Sequence, residues 1–212
     1  MTIAGTVFGI VLNDRDERAA LALRFGADPY RRPPAAPVVH IKPRTCVSVG
    51  GAPVPLGPDV AEAVLGATLG VRFARAVSTG DRDPLGAIGS ARLALDVSTP
   101  EADYYRPALQ ERCRDGFLPL GRDAAFLPDM AALEIETWVD GRRVHRWSLA
   151  RLVRPIATLI ADLASFMTLG ADDLLLVGLA ADAPRAAIGA GVEVRAAGLP
   201  TLATRLVAEA GA

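Results

Sequence analysis

The 212-residue chain is almost free of lysine: of its 23 basic residues, Lys42 is the only lysine and the others are arginines. Lys42 stands in the segment His40-Ile41-Lys42-Pro43, after a proline-rich stretch. An ammonium is a compact charge on a flexible stem, whereas a guanidinium is a planar fork that stays charged. Two interpretations follow: this position requires an amine, or the single lysine is an accident of an arginine-rich composition.

Cysteine and histidine are also scarce, with two of each. Cys46 and Cys113 lie far apart and form no C-x-x-C pattern, and no cluster of Cys and His suggests structural zinc. No apolar signal-peptide core follows Met1. These features predict a protein of the reducing cytoplasm.

Long apolar runs and an excess of one charge are missing as well. The formal net charge is -1, which speaks against nucleic acid and anionic membranes as partners. The longest apolar stretch, residues 149–169, is interrupted by Arg151, Arg154 and Asp162, so we expect no membrane span. The chain also lacks a G-x-S-x-G elbow and a glycine-rich phosphate loop, which argues against serine hydrolysis and nucleotide binding.

Apolar patterning predicts about eight short strands and three helices, which favours an α+β fold built as a sandwich or roll. The helices are expected from Asn13-Asp14 to Gly26, within 81–91, and after a Ser148 cap. We expect a small N-terminal lobe, 1–45, with a strand, a helix and a proline-rich linker, followed by a core domain, 46–212. The strands are expected at 6–12, 38–42, 69–73, 92–98, 133–139, 142–147, 174–177 and 192–195, with a fragment of extended chain at 54–56 inside a loop.

Several charged residues are candidates for a site. Asp96 ends an apolar strand, and Asp115 lies between Arg112 and Arg114, an arrangement that suits either a structural ion pair or an anion pocket. Arg106, with Arg112 and Arg114, offers the forked donors that a carboxylate substrate prefers, although surface salt bridges are the alternative.

A pair of carboxylates on one strand, Glu134 and Glu136, faces the same side of that strand. Such a pair could hold a divalent cation, but here it belongs to a strand that feeds the Asp140-Gly141 turn. A solvated outer face is therefore the preferred interpretation. His40 and His145 are interpreted as packed or hydrogen-bonded strand residues.

Taken in order, five short motifs resemble the fumarylacetoacetate hydrolase family, over nearly the whole chain. Within that family, residues 105–108 and 113–117 most resemble the N-terminal half of the isomerase/decarboxylases of 4-hydroxyphenylacetate (homoprotocatechuate) degradation. The resemblance implies a mixed β-sandwich roll with a few flanking helices. The motifs are Ile41-Lys42-Pro43, Leu95-Asp96-Val97-Ser98, Asp115 with Phe117-Leu118-Pro119-Leu120-Gly121, Val139-Asp140-Gly141 and Thr168-Leu169-Gly170-Ala171-Asp172-Asp173.

The resemblance also assigns the positions of a metal site. Active family members hold Mg²⁺ or Mn²⁺ with an E-x-E pair and a later Asp. Here the matching positions are Gly66, Thr68 and Asp96, so only Asp96 is kept, as a vestigial ligand. The resemblance thus implies that the chain binds no metal by itself.

Other family positions have changed too. The His and Glu of the family's lid match Glu17 and Ala20, while Asn13 is retained. The family's active-site lysine matches Arg112, and its Gly-Thr-Pro substrate loop matches residues 178–180. Lys42 matches a strand motif of the family instead.

These matches imply roles for individual residues. Arg112 and Asp115 are the candidate catalytic residues, and Arg106, Arg114 and Lys42 are the candidate substrate-binding residues. The implied function is that of a subunit of 5-oxopent-3-ene-1,2,5-tricarboxylate decarboxylase / 2-hydroxyhepta-2,4-diene-1,7-dioate isomerase, with a small di- or tricarboxylate as substrate. The expected partner is a metal-bearing paralogue or a second copy. The alternatives are another oxo-acid hydrolase or decarboxylase of the family, a metal-independent decarboxylase and a purely structural partner.

Overall fold

The computed structural model describes residues 4–28, 30–100 and 108–209. In these ranges the chain forms thirteen strands and four short α-helices, which confirms the α+β prediction. The helices are α1 (Arg15–Ala20), α2 (Ala22–Phe25), α3 (Leu109–Arg112) and α4 (Ile156–Ala164). The strands are β1 (Val7–Val11), β2 (Val38–Lys42), β3 (Val47–Val49), β4 (Val54–Leu56), β5 (Glu62–Phe73), β6 (Ile88–Ser98), β7 (Leu118–Leu120), β8 (Glu134–Val139), β9 (Arg142–Ser148), β10 (Leu174–Leu176), β11 (Arg185–Ala187), β12 (Gly191–Ala196) and β13 (Leu202–Ala208).

The strands form two mixed sheets. The larger has the order β2-β1-β10-β5-β6-β7-β3, with β11 also pairing to β5, and the smaller has the order β4-β13-β12-β8-β9. Parallel pairs occur between β1 and β10, β3 and β7, and β4 and β13. Strands β1 and β2 of the expected N-terminal lobe are part of the larger sheet, while the proposed boundary at residue 45 stays a prediction.

The main core lies between the two sheets. Alternation along β5 and β6 points Leu65, Leu69 and Leu93 toward the smaller sheet, where Ile135 belongs to the same buried cluster. Trp147 of β9 adds a polar link, because its indole Nε1 donates to the Ala67 carbonyl oxygen at 3.0 Å. Burial of such side chains stabilises the fold by roughly 1.5–3 kcal/mol each.

The opposite face of the larger sheet curls over a second, smaller cluster. This cluster brings together strands that are distant in the sheet order, and its buried members are Val7, Cys46, Ala94, Leu118, Leu120, Leu174 and Leu176. Side chains alternate along a strand, so Asp96 lies on the same face of the sheet as Ala94. Lys42 is the ladder partner of Val7 and lies on the same face as Val7. The curl therefore brings β2 beside β6, and the candidate site lies there.

Two local predictions have different outcomes. At the Asp140-Gly141 turn, both residues have positive φ, 47° and 77°, as a two-residue hairpin of primed type requires. The single helix expected after Ser148 was wrong: Ser148 caps a 3-10 turn over Leu149–Arg151, and α4 begins only after Pro155. Proline disfavours helical backbone in the residue before it, which separates the two elements.

The strand β13 lies outside the predicted set, although its burial alternates residue by residue. None of the helices in the described part of the chain is long and apolar enough to span a membrane.

Candidate functional site

The candidate site centres on an ion pair between Lys42 of β2 and Asp96 of β6. The Lys42 Nζ lies 2.6 Å from Asp96 Oδ1, and the two side chains are 0% and 1% exposed. The ammonium also donates to the carbonyl oxygens of Val97, Arg112 and Phe117 at 3.1, 2.6 and 3.4 Å. Oxygen atoms thus surround the lone lysine, which compensates for its removal from water.

His40 is the second partner of Asp96. It lies two residues before Lys42, so that both side chains project from the same face of β2. Its Nε2 is 3.2 Å from Asp96 Oδ2, which requires Nε2 to carry the proton. The imidazole lies against Gly9, its ladder partner, where a Cβ would overlap the ring. Among the described residues, His40 Nδ1 is buried without a hydrogen-bond partner.

Arg112 completes the surroundings of Asp96 from the end of α3. Its Nη1 is 3.6 Å from Asp96 Oδ2, and its side chain is largely buried. Burial alone raises the pKa of Asp96, but the Lys42 ammonium, the His40 hydrogen bond and Arg112 outweigh burial and hold that pKa below its usual value. Asp96 is therefore a permanently ionised carboxylate at neutral pH.

The two positions that the resemblance assigns to the family's paired glutamates lie on β5, beside Asp96. Gly66 is the ladder partner of Asp96, and a Cβ there would come within 2.6 Å of the Asp96 carbonyl oxygen and 2.9 Å of Leu179 Cδ2. Thr68 is buried, and its hydroxyl donates to the Gly178 carbonyl oxygen at 2.6 Å. The strand thus packs too closely at Gly66 for a side chain.

These residues do not fit a divalent metal. Mg²⁺ and Mn²⁺ prefer several oxygen ligands, mostly carboxylate and water. The three matching positions supply one carboxylate, that of Asp96, which the Lys42 ammonium already neutralises. Within 4–28, 30–100 and 108–209, no group of three or more His, Cys, Asp and Glu side chains could hold a metal ion.

A cavity of about 180 Å³ lies beside the ion pair, and Glu17, Gly66, Asp96 and Arg112 are among the residues that line it. Glu17 belongs to α1, whereas Ala20, the other position of the family's lid, is exposed. The structure thus gathers four positions that the resemblance assigns to a site.

Asn13 and Asp14 hold α1 beside this cavity. Asn13 Nδ2 donates to the Val177 carbonyl oxygen at 2.9 Å, and its Oδ1 accepts from the Arg154 backbone N–H at 2.9 Å. The buried Asp14 caps α1 and accepts from Arg151 Nε at 3.0 Å and from the Ala181 backbone N–H at 2.8 Å. These bonds tie α1 to the loop after β10.

The other predicted site residues lie elsewhere. Arg114 forms a two-pronged ion pair with Asp59, at 3.1 and 2.8 Å, at a different cavity. Asp115 is exposed in the turn between α3 and β7 and does not line the cavity beside Asp96. Arg106 lies outside the described residues. The roles assigned to these residues, and to Lys42, stay predictions.

The paired glutamates of β8 are engaged on the surface, as the outer-face interpretation expects. Glu136 Oε1 accepts from Arg143 at 2.7 Å, and Glu134 accepts from Arg146 at 3.2 Å. By contrast, sequence reasoning missed His40 as a partner of Asp96. The available signal was its spacing of two residues from Lys42, which places both side chains on one strand face.

Comparison with known proteins shows the family to which the chain belongs. Residues 6–207 match the family model described as fumarylacetoacetate (FAA) hydrolase C-terminal. The chain is 37% identical to the 4-hydroxyphenylacetate degradation bifunctional isomerase/decarboxylase of Salmonella dublin and 36% identical to that of Escherichia coli. Each match covers 206 residues, which are 97% of this chain and 48% of the relative. The chain therefore spans about half the length of these curated relatives.

Solved structures share the fold. The 5-carboxymethyl-2-hydroxymuconate delta-isomerase of Mycobacterium smegmatis superposes with a TM-score of 0.83 at 23% identity, covering 99% of this chain and 81% of that one. The 2-hydroxyhepta-2,4-diene-1,7-dioate isomerase of Mycobacterium marinum gives 0.79 at 21% identity, covering 99% and 77%. At these identities the likeness supports the fold, which confirms the predicted mixed β architecture.

Proposed function

Because the chain belongs to the fumarylacetoacetate hydrolase family, we propose that it is a subunit of an isomerase/decarboxylase of 4-hydroxyphenylacetate catabolism. In this proposal it works with a metal-bearing paralogue on 5-oxopent-3-ene-1,2,5-tricarboxylate and 2-hydroxyhepta-2,4-diene-1,7-dioate. The identity to relatives with that activity in their names supports the pathway. Their double length supports a partner that supplies the other half.

One observation supports the assignment of the metal-dependent step to the paralogue. Lys42 Nζ lies 2.6 Å from Oδ1 of Asp96, which occupies the position where active family members place a metal ligand. An ammonium balances the charge of the carboxylate, but it has no open coordination position for a substrate oxygen. The metal-dependent step therefore belongs to the paralogue. This chain contributes a folded partner surface and a small polar cavity.

Arg112 is the group in this cavity that suits a carboxylate substrate. Its guanidinium lines the cavity together with Glu17 and Asp96, and it offers planar, paired donors. Arginine is a poor proton donor at neutral pH, so its role is to bind and orient the carboxylate. Proton transfer and stabilisation of the enolate are assigned to the paralogue.

Metal analysis of the purified chain tests the first part of this proposal. After incubation with Mg²⁺ or Mn²⁺ and gel filtration, we expect metal far below one equivalent per chain, because the described residues offer no cluster of ligand side chains that could hold a metal ion. A matched preparation of the metal-bearing paralogue is the positive control. About one tightly held Mg²⁺ or Mn²⁺ per chain would overturn the division of labour.

Reconstitution tests the second part. The chain alone, the paralogue alone and their co-expressed mixture are assayed for decarboxylation and isomerisation, and size-exclusion chromatography follows assembly. We expect a mixed complex with both activities and none from the isolated chain. Arg112→Ala should raise the KM of the complex, whereas Arg82→Ala, an exposed arginine outside the cavity lining, should not. Turnover by the isolated chain, or failure to assemble, contradicts the proposal.

A further inference from the structure

A second and larger cavity lies on the other side of Arg112. Its volume is about 670 Å³, within the range of about 300–1,000 Å³ typical of small-molecule sites. It lies between α2, β2 and α3, and it adjoins the cavity lined by Glu17 and Asp96. Arg112 and Val11 line both cavities.

The lining of this cavity is mainly apolar. Phe25, Val39 and Ile41 are among its residues, and Ile41 is 55% exposed at its opening. Phe25 is buried and meets the ring of Tyr30 edge-on, with centroids 6.1 Å apart. Binding of an apolar group to this surface is favourable, because it removes apolar area from water.

Among the described residues of the lining, the charged side chains are those of Arg32 and Arg112, and none is Asp or Glu. Arg32 is exposed, and no hydrogen bond or ion pair involves it within the described residues. Guanidinium groups bind carboxylates through paired hydrogen bonds, so the lining complements an apolar molecule with one anionic end.

We propose that this cavity binds a small apolar monocarboxylate, with its ring or chain against Phe25 and Val39 and its carboxylate on a guanidinium of the lining. A di- or tricarboxylate fits less well, because its further charges would be buried against apolar walls. The ligand is thus of a different chemical class from the substrate assigned to the smaller cavity. The proposal shares Arg112 with the proposed function, but binding of an apolar monocarboxylate by the chain alone tests it without the paralogue and its substrates.

Calorimetric titration with three probes tests the ligand class. Phenylacetate should bind with a Kd below about 1 mM. Phenylacetamide, which has the same ring but no charge, and propane-1,2,3-tricarboxylate, which has charge but no ring, should each bind about tenfold more weakly. No binding of phenylacetate up to about 10 mM overturns the proposal. Equal binding of the amide overturns the role of the carboxylate.

Variants locate the site. Arg32→Ala or Arg112→Ala should weaken phenylacetate binding about tenfold, whereas Arg82→Ala, outside the lining, should leave it unchanged. Val39→Trp should strongly weaken phenylacetate binding by placing an indole in the cavity, and Ala108→Trp, at the residue before α3, serves the same purpose if the first variant does not fold. Circular dichroism establishes folding. Unchanged binding in both arginine variants, or in a folded tryptophan variant, shows that phenylacetate binds elsewhere and overturns the proposal.

Discussion

Lys42 and Asp96 come from strands four positions apart in the larger sheet, yet they form an ion pair with Nζ 2.6 Å from Oδ1 and both side chains buried. Each charge is removed from water and is compensated chiefly by the other. Removing one partner therefore leaves an uncompensated charge in the interior, which costs more than the intact pair contributes. This asymmetry allows the pair to be tested by substitution.

Asp96→Asn should destabilise the protein by about 3–5 kcal/mol, because it leaves the buried Lys42 ammonium without a counterion. Urea denaturation followed by circular dichroism measures the loss. The matched control is Glu134→Gln, which breaks an ion pair with Arg146 whose side chains are more than half exposed. That change should cost at most about 1 kcal/mol.

The double variant Lys42→Met/Asp96→Leu should recover much of the loss, because it removes both charges and keeps apolar volume. The single variants Lys42→Met and Asp96→Leu, the double variant and the wild type then form a thermodynamic cycle. If the double variant is as unstable as the sum of the single variants, the two side chains are not coupled, and the ion pair is not what compensates their burial.

Stability should depend on pH through Asp96. The Lys42 ammonium and the His40 bond overcome the effect of burial and lower the pKa of Asp96 in the folded protein. In the unfolded chain the carboxyl takes up a proton near pH 3.9, so its contribution is complete above about pH 5 and falls as pH drops below about 4. The difference in urea midpoint between the wild type and Asp96→Asn should shrink as the pH falls from about 5 to about 3, and it should vanish only below the lowered pKa of the folded protein. A constant difference would contradict this assignment.

Gly66 should not tolerate even a methyl group. In Gly66→Ala the new Cβ would meet the Asp96 carbonyl oxygen at 2.6 Å, so the β5–β6 ladder must shift, at a cost of about 1–3 kcal/mol. Gly26→Ala is the control, since its nearest neighbour would be 3.6 Å away and its φ is -78°. Thermal unfolding compares the two. Equal stability of both variants would show that β5 and β6 are less closely packed than described.

The position of His40 should depend on Gly9. A Cβ at residue 9 would overlap the imidazole, so Gly9→Ala should displace the ring from Asp96 and cost about 1–3 kcal/mol. The double variant Gly9→Ala/His40→Ala removes the overlapping group and should be more stable than Gly9→Ala alone. The NMR chemical shifts of the His40 ring report the displacement directly. If the double variant is no more stable than Gly9→Ala, the loss of stability arises in the β1 backbone and not from contact with the imidazole.

The two thiols should react at different rates. Burial raises the pKa of Cys46 to about 11, so only about one thiol in a thousand is ionised at pH 8. Burial also raises the pKa of Cys113, but that thiol is partly exposed. Iodoacetamide at pH 8 should therefore modify Cys113 in the folded protein, and Cys46 only in urea. Peptide mass spectrometry measures both, and equal labelling in the folded state contradicts the burial of Cys46.

Local sequence signals accounted for much of the secondary structure. The strand containing Lys42, the Asp140-Gly141 hairpin and the strand at 92–98 follow from periodicity and turn chemistry, which act between near neighbours. The helix predicted after Ser148 was too long, because apolar residues recur every three or four positions on both sides of Pro155. Periodicity alone does not register a break that a backbone restriction imposes.

Sequence alone determined the family motifs, the α+β class and the identity of the residues at the matching metal positions. Tertiary structure decided what those residues meet. The curl of the larger sheet places Lys42 and His40 beside Asp96. At Gly66, β5 lies so close to β6 that no side chain fits, and Arg114 pairs with Asp59 instead of lining the cavity beside Asp96. The reason is physical: alternation along a strand sets the face on which a side chain lies, whereas its contacts depend on how distant strands are brought together. The single lysine, unusual in composition, thus has its position explained by a carboxylate 54 residues away in the chain.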